Sequence, residues 1–215
     1  NWIGYTPQTT LPINTALANI PAGHAEFLKS QSGYADYYGI DYGWFGTLDQ
    51  MSPFLGYLMR LNEDTQFTYN DDMLSSVSSV YTKVENDELN IHDYEHNGTL
   101  TTAIYIDDDR VDSYDYELRA YDGTDCIGYA EGLHFPLDGN IIFPLMVYSS
   151  LTYEENMVLE YYNAHSDTYY DISESFAFEA DMRPGNGLNP VVLNGGQNDN
   201  VIIPGLNIVS AYPNP

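Results

Sequence analysis

Thr99-Leu100-Thr101-Thr102-Ala103-Ile104-Tyr105-Ile106 is the stretch that decides the fold class. Leu100, Thr102, Ile104 and Ile106 fall on every second position, the period of a strand with one buried face. The same signature recurs downstream over residues 116–121, 126–130, 140–148, 157–163, 168–172 and 175–179. Turn signals separate these runs: Asp122-Gly123, Asp138-Gly139, Ser149-Ser150 and His165-Ser166-Asp167. Short strands at intervals of about 8–12 residues predict an antiparallel, immunoglobulin-like β-sandwich over 91–196. Pro144 lies inside the strongest apolar run. Because proline cannot donate to a ladder, it predicts an edge strand or a bulge there.

Upstream, residues 1–70 are rich in Gly and aromatics. Ile13, Ala16, Leu17 and Ile20 have helical spacing, which predicts a helix over 14–20 with Asn14 as N-cap and Pro21 as its stop. Strand-like pieces begin at Trp2, Ile3 and Tyr5 and continue over 26–31, 34–38, 43–48 and 56–61. This reads as a small β-rich, α+β domain. Residues 71–90 form a Ser-rich connector with strand character at 80–84. Residues 185–196 are a Gly/Asn segment, and 197–215 are a linker and tail. The predicted class is mostly β, in two domains.

The chain has 215 residues, with 32 Asp plus Glu against 6 Lys plus Arg, for a net charge of −26. Charged residues are only 18% and aromatics 14%, so this is a folding composition and not that of a disordered acidic tail. Such a surface excludes nucleic acid, whose phosphates need cations, and disfavours an anionic membrane leaflet. Residues 1–70 carry net −4, 71–125 net −12 and 126–215 net −10, so the first third presents a different surface. No run approaches the roughly 18 apolar residues of a membrane span. The only cysteine, Cys126, allows neither an internal disulfide nor a multi-thiolate zinc site, and it reads as a small buried hydrophobe. No signal peptide is present and the chain starts at Asn1 without Met, which suggests a processed segment of a polypeptide extending upstream.

Several clusters invite a chemical reading. His92-Asp93-Tyr94-Glu95-His96 matches H-x-x-E-H, but that zinc chemistry needs both His on one helical face, and Asn97-Gly98 followed by alternation argues for a strand. Asp107, Asp108, Asp109, Asp112 and Asp115 form the densest acidic run and are candidate calcium ligands, against a solvated hairpin tip. Asp122 and Asp125, around a tight turn, are a second candidate pair. Tyr37, Tyr38, Tyr42 and Trp44, near Asp36 and Asp41, suit stacking on carbohydrate or a protein partner, against a role as core rings. Tyr161-Tyr162 and Tyr169-Tyr170 each place one ring inward and one outward, so rows of exposed Tyr are a candidate contact surface. No G-x-S-x-G elbow, phosphate loop or dinucleotide fingerprint occurs.

Tyr212-Pro213-Asn214-Pro215, after Leu206-Asn207-Ile208, looks like the opening of the C-terminal sorting domain of modular proteins exported by the type IX secretion system. Gly43-Trp44-Phe45-Gly46-Thr47-Leu48 and Pro53-Phe54-Leu55-Gly56-Tyr57 resemble a repeat common in such proteins. Cys126-Ile127-Gly128-Tyr129-Ala130, Leu145-Met146-Val147-Tyr148-Ser149 and Phe178-Glu179-Ala180-Asp181-Met182 resemble an accompanying β-sandwich. The resemblance implies an extracellular or cell-surface location in a Gram-negative bacterium, and it supplies no catalytic site. The expectation is a non-catalytic structural or adhesive protein, the subunit of a surface filament or layer. It would associate with itself or with other surface proteins. Its assembly strands would be Trp2 and Ile3 at one end and Val201, Ile202, Ile203, Leu206 and Ile208 at the other. The alternative is a carbohydrate-binding module with polysaccharide as partner. Calcium is the candidate cofactor.

Overall fold

The computed structural model describes residues 1–70, 89–114 and 116–197. Its N-terminal part contains β1 (Trp2–Gly4), β2 (Leu11–Pro12), α1 (Ile13–Ala16), β3 (Ala25–Lys29), β4 (Tyr34–Tyr37), β5 (Trp44–Gly46), β6 (Gln50–Met51) and β7 (Gly56–Leu61). Five of these strands form one antiparallel sheet in the order β1-β7-β3-β4-β5, and β2 pairs with β6. One face of the sheet covers a core that includes Leu11, Ile13, Leu17, Leu28, Trp44, Met51, Tyr57 and Met59.

The helix expected over 14–20 is a single turn, and Asn14 is not its cap. The Asn14 side chain instead accepts from Trp44 N (2.7 Å) and donates to Trp44 O (3.2 Å). Its amide imitates a neighbouring strand along the free edge of β5, which satisfies backbone groups an edge would otherwise expose.

The second part contains a 3₁₀ turn (Ile91–Asp93), then β8 (His96–Ile106), β9 (Asp109–Arg110), β10 (Tyr116–Asp122), β11 (Asp125–Glu131), β12 (Leu133–His134), β13 (Ile141–Ser149), β14 (Tyr153–Asn163), β15 (Thr168–Ile172), β16 (Phe176–Glu179) and β17 (Val191–Gln197). The expected sandwich is instead a seven-stranded barrel. Its order is β13-β11-β10-β14-β15-β17-β8, and β8 closes it by pairing with β13. A closed ring of purely antiparallel neighbours needs an even number of strands, so seven strands require a parallel seam. That seam is β17 against β8, from Val191↔Thr102 to Gly195↔Ile106.

β17 lies almost wholly in the Gly/Asn segment, where the sequence pattern predicts no strand. Of its two glycines, Gly195 lies where a Cβ would meet the tip of the Ile106 side chain, whereas Gly196 has open space beside it. Inside the barrel, Leu100, Ile104, Leu118, Ile127, Phe143, Leu145, Val147, Leu159 and Tyr161 are buried together. Pro144 sits in a strand paired on both sides and not at an edge. Opposite it, the ladder passes from Tyr129↔Met146 to Leu133↔Ile142, so the missing N–H coincides with the gap between β11 and β12.

All nine residues of β13 are buried, and the second face explains why. Phe143, Leu145 and Val147 point into the barrel, whereas Met146 and Tyr148 pack against Phe27 and Tyr34 of the N-terminal sheet. That sheet is therefore covered on both faces. The junction is dense in specific bonds. Tyr34 Oη meets Thr101 Oγ1 at 2.6 Å, Tyr148 Oη donates to Gln31 O (2.9 Å), and Gly187 N donates to Tyr38 Oη (2.7 Å). Phe135 receives the rings of Tyr38 and Phe45. Arg183 donates to Glu26 and to Asp36, each at 2.6 Å, and lies over the Phe27 ring. Lys29 donates to Asp181 (2.6 Å) and to Asn97 O (3.2 Å).

The Asp36 side chain is only 7% exposed. Burial raises its carboxyl above the usual value, and Arg183 opposes that rise. Arg183→Met should therefore cost about 3–5 kcal/mol in urea denaturation near neutral pH, since it leaves a buried carboxylate unpaired. For an acid whose folded-state pKa is raised, stability is present below the unfolded value and is lost as pH rises through the folded one. The penalty of Arg183→Met should then shrink as pH falls into the acid range, where Asp36 takes up a proton, and adding Asp36→Asn should recover part of it at neutral pH.

Candidate functional site

With its β8/β13 wall occupied by the N-terminal sheet, the barrel keeps an outer wall on β11, β10, β14 and β15. The strand period sends Leu118, Ala120, Leu159, Tyr161 and Ile172 inward and their neighbours outward. Register then aligns the outward side chains in rows. Tyr129, Arg119, Glu160 and Asp171 form one row, and Glu131, Glu117, Tyr162 and Tyr169 form the next.

Glu117 and Glu131 face each other directly, an arrangement that is repulsive when left alone. Two groups offset it. Arg119 donates to Glu117 through Nε (3.2 Å) and Nη2 (2.7 Å), and Tyr129 Oη donates to Glu131 (3.1 Å). Burial, and then the charges of Glu117 and Glu131, push the Tyr129 phenol well above its ordinary value, so it remains a donor. Arg119 pays some desolvation, yet its bonds to Glu117 and Tyr121 raise its affinity for its proton. Burial likewise raises the Glu160 carboxyl, Arg119 pulls it back and Asp171 pushes it further up. Tyr162 and Tyr169 stack across the strands with centroids 4.6 Å apart.

At the rim of this wall, Tyr114, Tyr116, Glu117, Glu131, Ala164 and His165 line an open groove of about 510 Å³. Tyr114 is 54% exposed and braced edge-on by His134 at 4.4 Å. Tyr116 leans on the buried ring of Tyr161 at 5.3 Å. The sequence points to one outward ring in each of the pairs Tyr161-Tyr162 and Tyr169-Tyr170, which the register identifies as Tyr162 and Tyr169, but not to the Glu117–Glu131 pair. The signal was in the sequence, since both glutamates hold outward positions of alternating runs.

The residues singled out from sequence are scattered. Trp44 is 5% exposed and belongs to the N-terminal core, where Tyr37 packs on it. Tyr38 is spent on the junction, and of the four aromatics only Tyr42, at 50%, faces solvent. Asp107 and Asp108 are the two central residues of the β8–β9 hairpin and both have positive φ (51° and 67°). A type I′ turn demands that geometry and accepts Asp for it, so turn chemistry accounts for the pair. Asp109 and Asp112 are exposed, and Asp115 lies outside the described residues. Asp122 and Asp125 flank the Gly123-Thr124 turn and are exposed. Among the described residues, no three His, Cys, Asp or Glu side chains converge to hold a metal ion.

His92 sits in the 3₁₀ turn and His96 opens β8, so they share neither a helix nor the strand expected from sequence. Trp2, 76% exposed, and Ile3 lie on β1, an edge strand of the N-terminal sheet. Val201, Ile202, Ile203, Leu206 and Ile208 lie outside the described residues. Every cation among the described residues has an intrachain partner. Lys29, Arg119 and Arg183 hold carboxylates as above, Arg60 approaches Glu26 (3.8 Å) and Arg110 donates to Ile141 O (3.0 Å).

Comparison with known proteins returns no matching family model, no similar curated protein and no matching solved structure.

The Glu117–Glu131 contact yields a direct test. Tyr129→Phe should lower stability by about 1 kcal/mol at low ionic strength, because it removes the hydroxyl between the carboxylates. The difference from wild type should narrow in thermal melts at high salt, where the repulsion is screened.

Proposed function

We propose that this protein is a structural or adhesive module of the cell exterior and not an enzyme. The observation that carries this reading is the junction between the N-terminal sheet and the barrel. Clefts between domains are common places for substrate sites. Here most of the junction is occupied by Arg183 with Asp36 and Glu26, by Lys29 with Asp181, and by the Tyr34–Thr101 bond, and the pocket that remains beside Lys29, Asp181 and Arg183 holds only about 210 Å³. What such a unit offers a partner is its outside surface on a stiff frame. The stretches similar to type IX secretion modules support a location outside a Gram-negative cell. The charge of −26 supports a module that resists assembly until a cation or a specific contact offsets repulsion.

Self-association into a filament or layer is the form of this role that the sequence favours. A second reading, a polysaccharide-binding module, is favoured by one observation, the aromatic groove that also presents Glu117 and Glu131. Sedimentation velocity and negative-stain microscopy of the purified protein, with calcium and with chelator, test self-association. Large species or filaments are expected in at least one condition. A monodisperse monomer in both would reject the filament subunit.

A further inference from the structure

We infer that the groove at the rim of the outer wall binds a neutral polysaccharide, with Tyr114 as its stacking ring and Glu117 and Glu131 as acceptors for sugar hydroxyls. The assignment rests on the polysaccharide-binding reading and is independent of self-association. Four observations converge on it.

The groove is open and holds about 510 Å³, which suits a chain lying across it. It combines ring surface with fixed polar groups, the pairing that sugars require, because a pyranose has an apolar face and a rim of hydroxyls. Tyr114 is exposed yet braced by His134, so its ring is offered at little cost in lost motion. The two carboxylates are held in place before any ligand arrives. Arg119 engages Glu117 Oε2 and Tyr129 engages Glu131 Oε1 while also lying against Glu117, and carboxylate lone pairs are left over on both glutamates.

Charge selects among sugars. Two carboxylates in a strongly acidic chain repel uronates and sulfated glycans. A neutral glycan supplies what the site lacks, namely hydroxyl donors without added charge.

The test is native affinity electrophoresis of the full chain through gels containing β-glucan, xylan, mannan or starch, with a polyuronate gel as the charged comparison, each at low and high sodium chloride. At least one polymer should retard wild type, and high salt should leave that retardation in place, since no ion pair forms. Tyr114→Ala and Glu131→Gln should each weaken retardation about fivefold or more, with the thermal melt of Tyr114→Ala close to wild type. Tyr42→Ala, at an exposed ring far along the chain, should leave retardation unchanged. Three results overturn the site. The first is retardation that survives both groove substitutions. The second is retardation abolished by salt or confined to a polyuronate gel. The third is no retardation by any neutral polymer, which also removes the polysaccharide-binding reading itself, whereas the first leaves that reading standing and moves the site.

Discussion

The guanidinium of Arg183 holds the two halves of the molecule in register. It lies on the Phe27 ring and reaches Glu26 and Asp36 at once. Asp36 is buried because its strand has a second covered face, and a buried carboxylate is tolerable only with such a partner. Lys29 repeats the device one strand away, donating to Asp181 and to the Asn97 carbonyl. Both cations come from a set of six in the whole chain. Their use here ties residues more than 140 positions apart. Phe27, Tyr34, Met146 and Tyr148 can then form a dry layer between the sheet and the barrel.

That junction also explains what was legible in the sequence. Residues 140–148 are apolar almost without interruption, and continuous runs of this kind mark strands buried on both faces. The cover on the second face comes from the N-terminal sheet, which no local pattern could announce. Strand positions were readable because each is a local property: Gly56–Leu61 and Thr168–Ile172 lie where the period places them. Closure was not readable. A sandwich and a barrel share the same alternating strands, and the difference lies in β17, whose Asn194-Gly195-Gly196 looks like a linker. Gly195 there answers to the approach of Ile106, a contact across the parallel seam.

The site residues follow the same division. Asp107 and Asp108 looked like ligands because acidic runs can bind cations, yet their backbone conformation gives a sufficient reason for them. Trp44 looked like a binding ring because aromatics beside carboxylates often are. It is instead the largest ring of a small core, and its backbone is anchored by Asn14. By contrast, one outward ring in each of the pairs Tyr161-Tyr162 and Tyr169-Tyr170 follows from strand period alone and needs no knowledge of closure, although only the fold shows that these rings are Tyr162 and Tyr169.

Scarcity of cations shapes the surface that is left. With its described cations committed inside the chain, this protein has to manage most acidic contacts with neutral donors. Tyr129 stands beside Glu131 in this role, and the Asn194 amide and backbone N–H hold Glu174 at 2.7 and 2.9 Å. Against a modest desolvation, those two bonds keep the Glu174 carboxyl below its ordinary value, the mark of a carboxylate stabilised without a counter-charge. Hydroxyls and amides can fix carboxylates in place without neutralising them. The barrel wall consequently keeps ordered, charged acceptors beside tyrosine rings. That combination favours partners that bring hydroxyls and flat apolar faces over partners that bring negative charge.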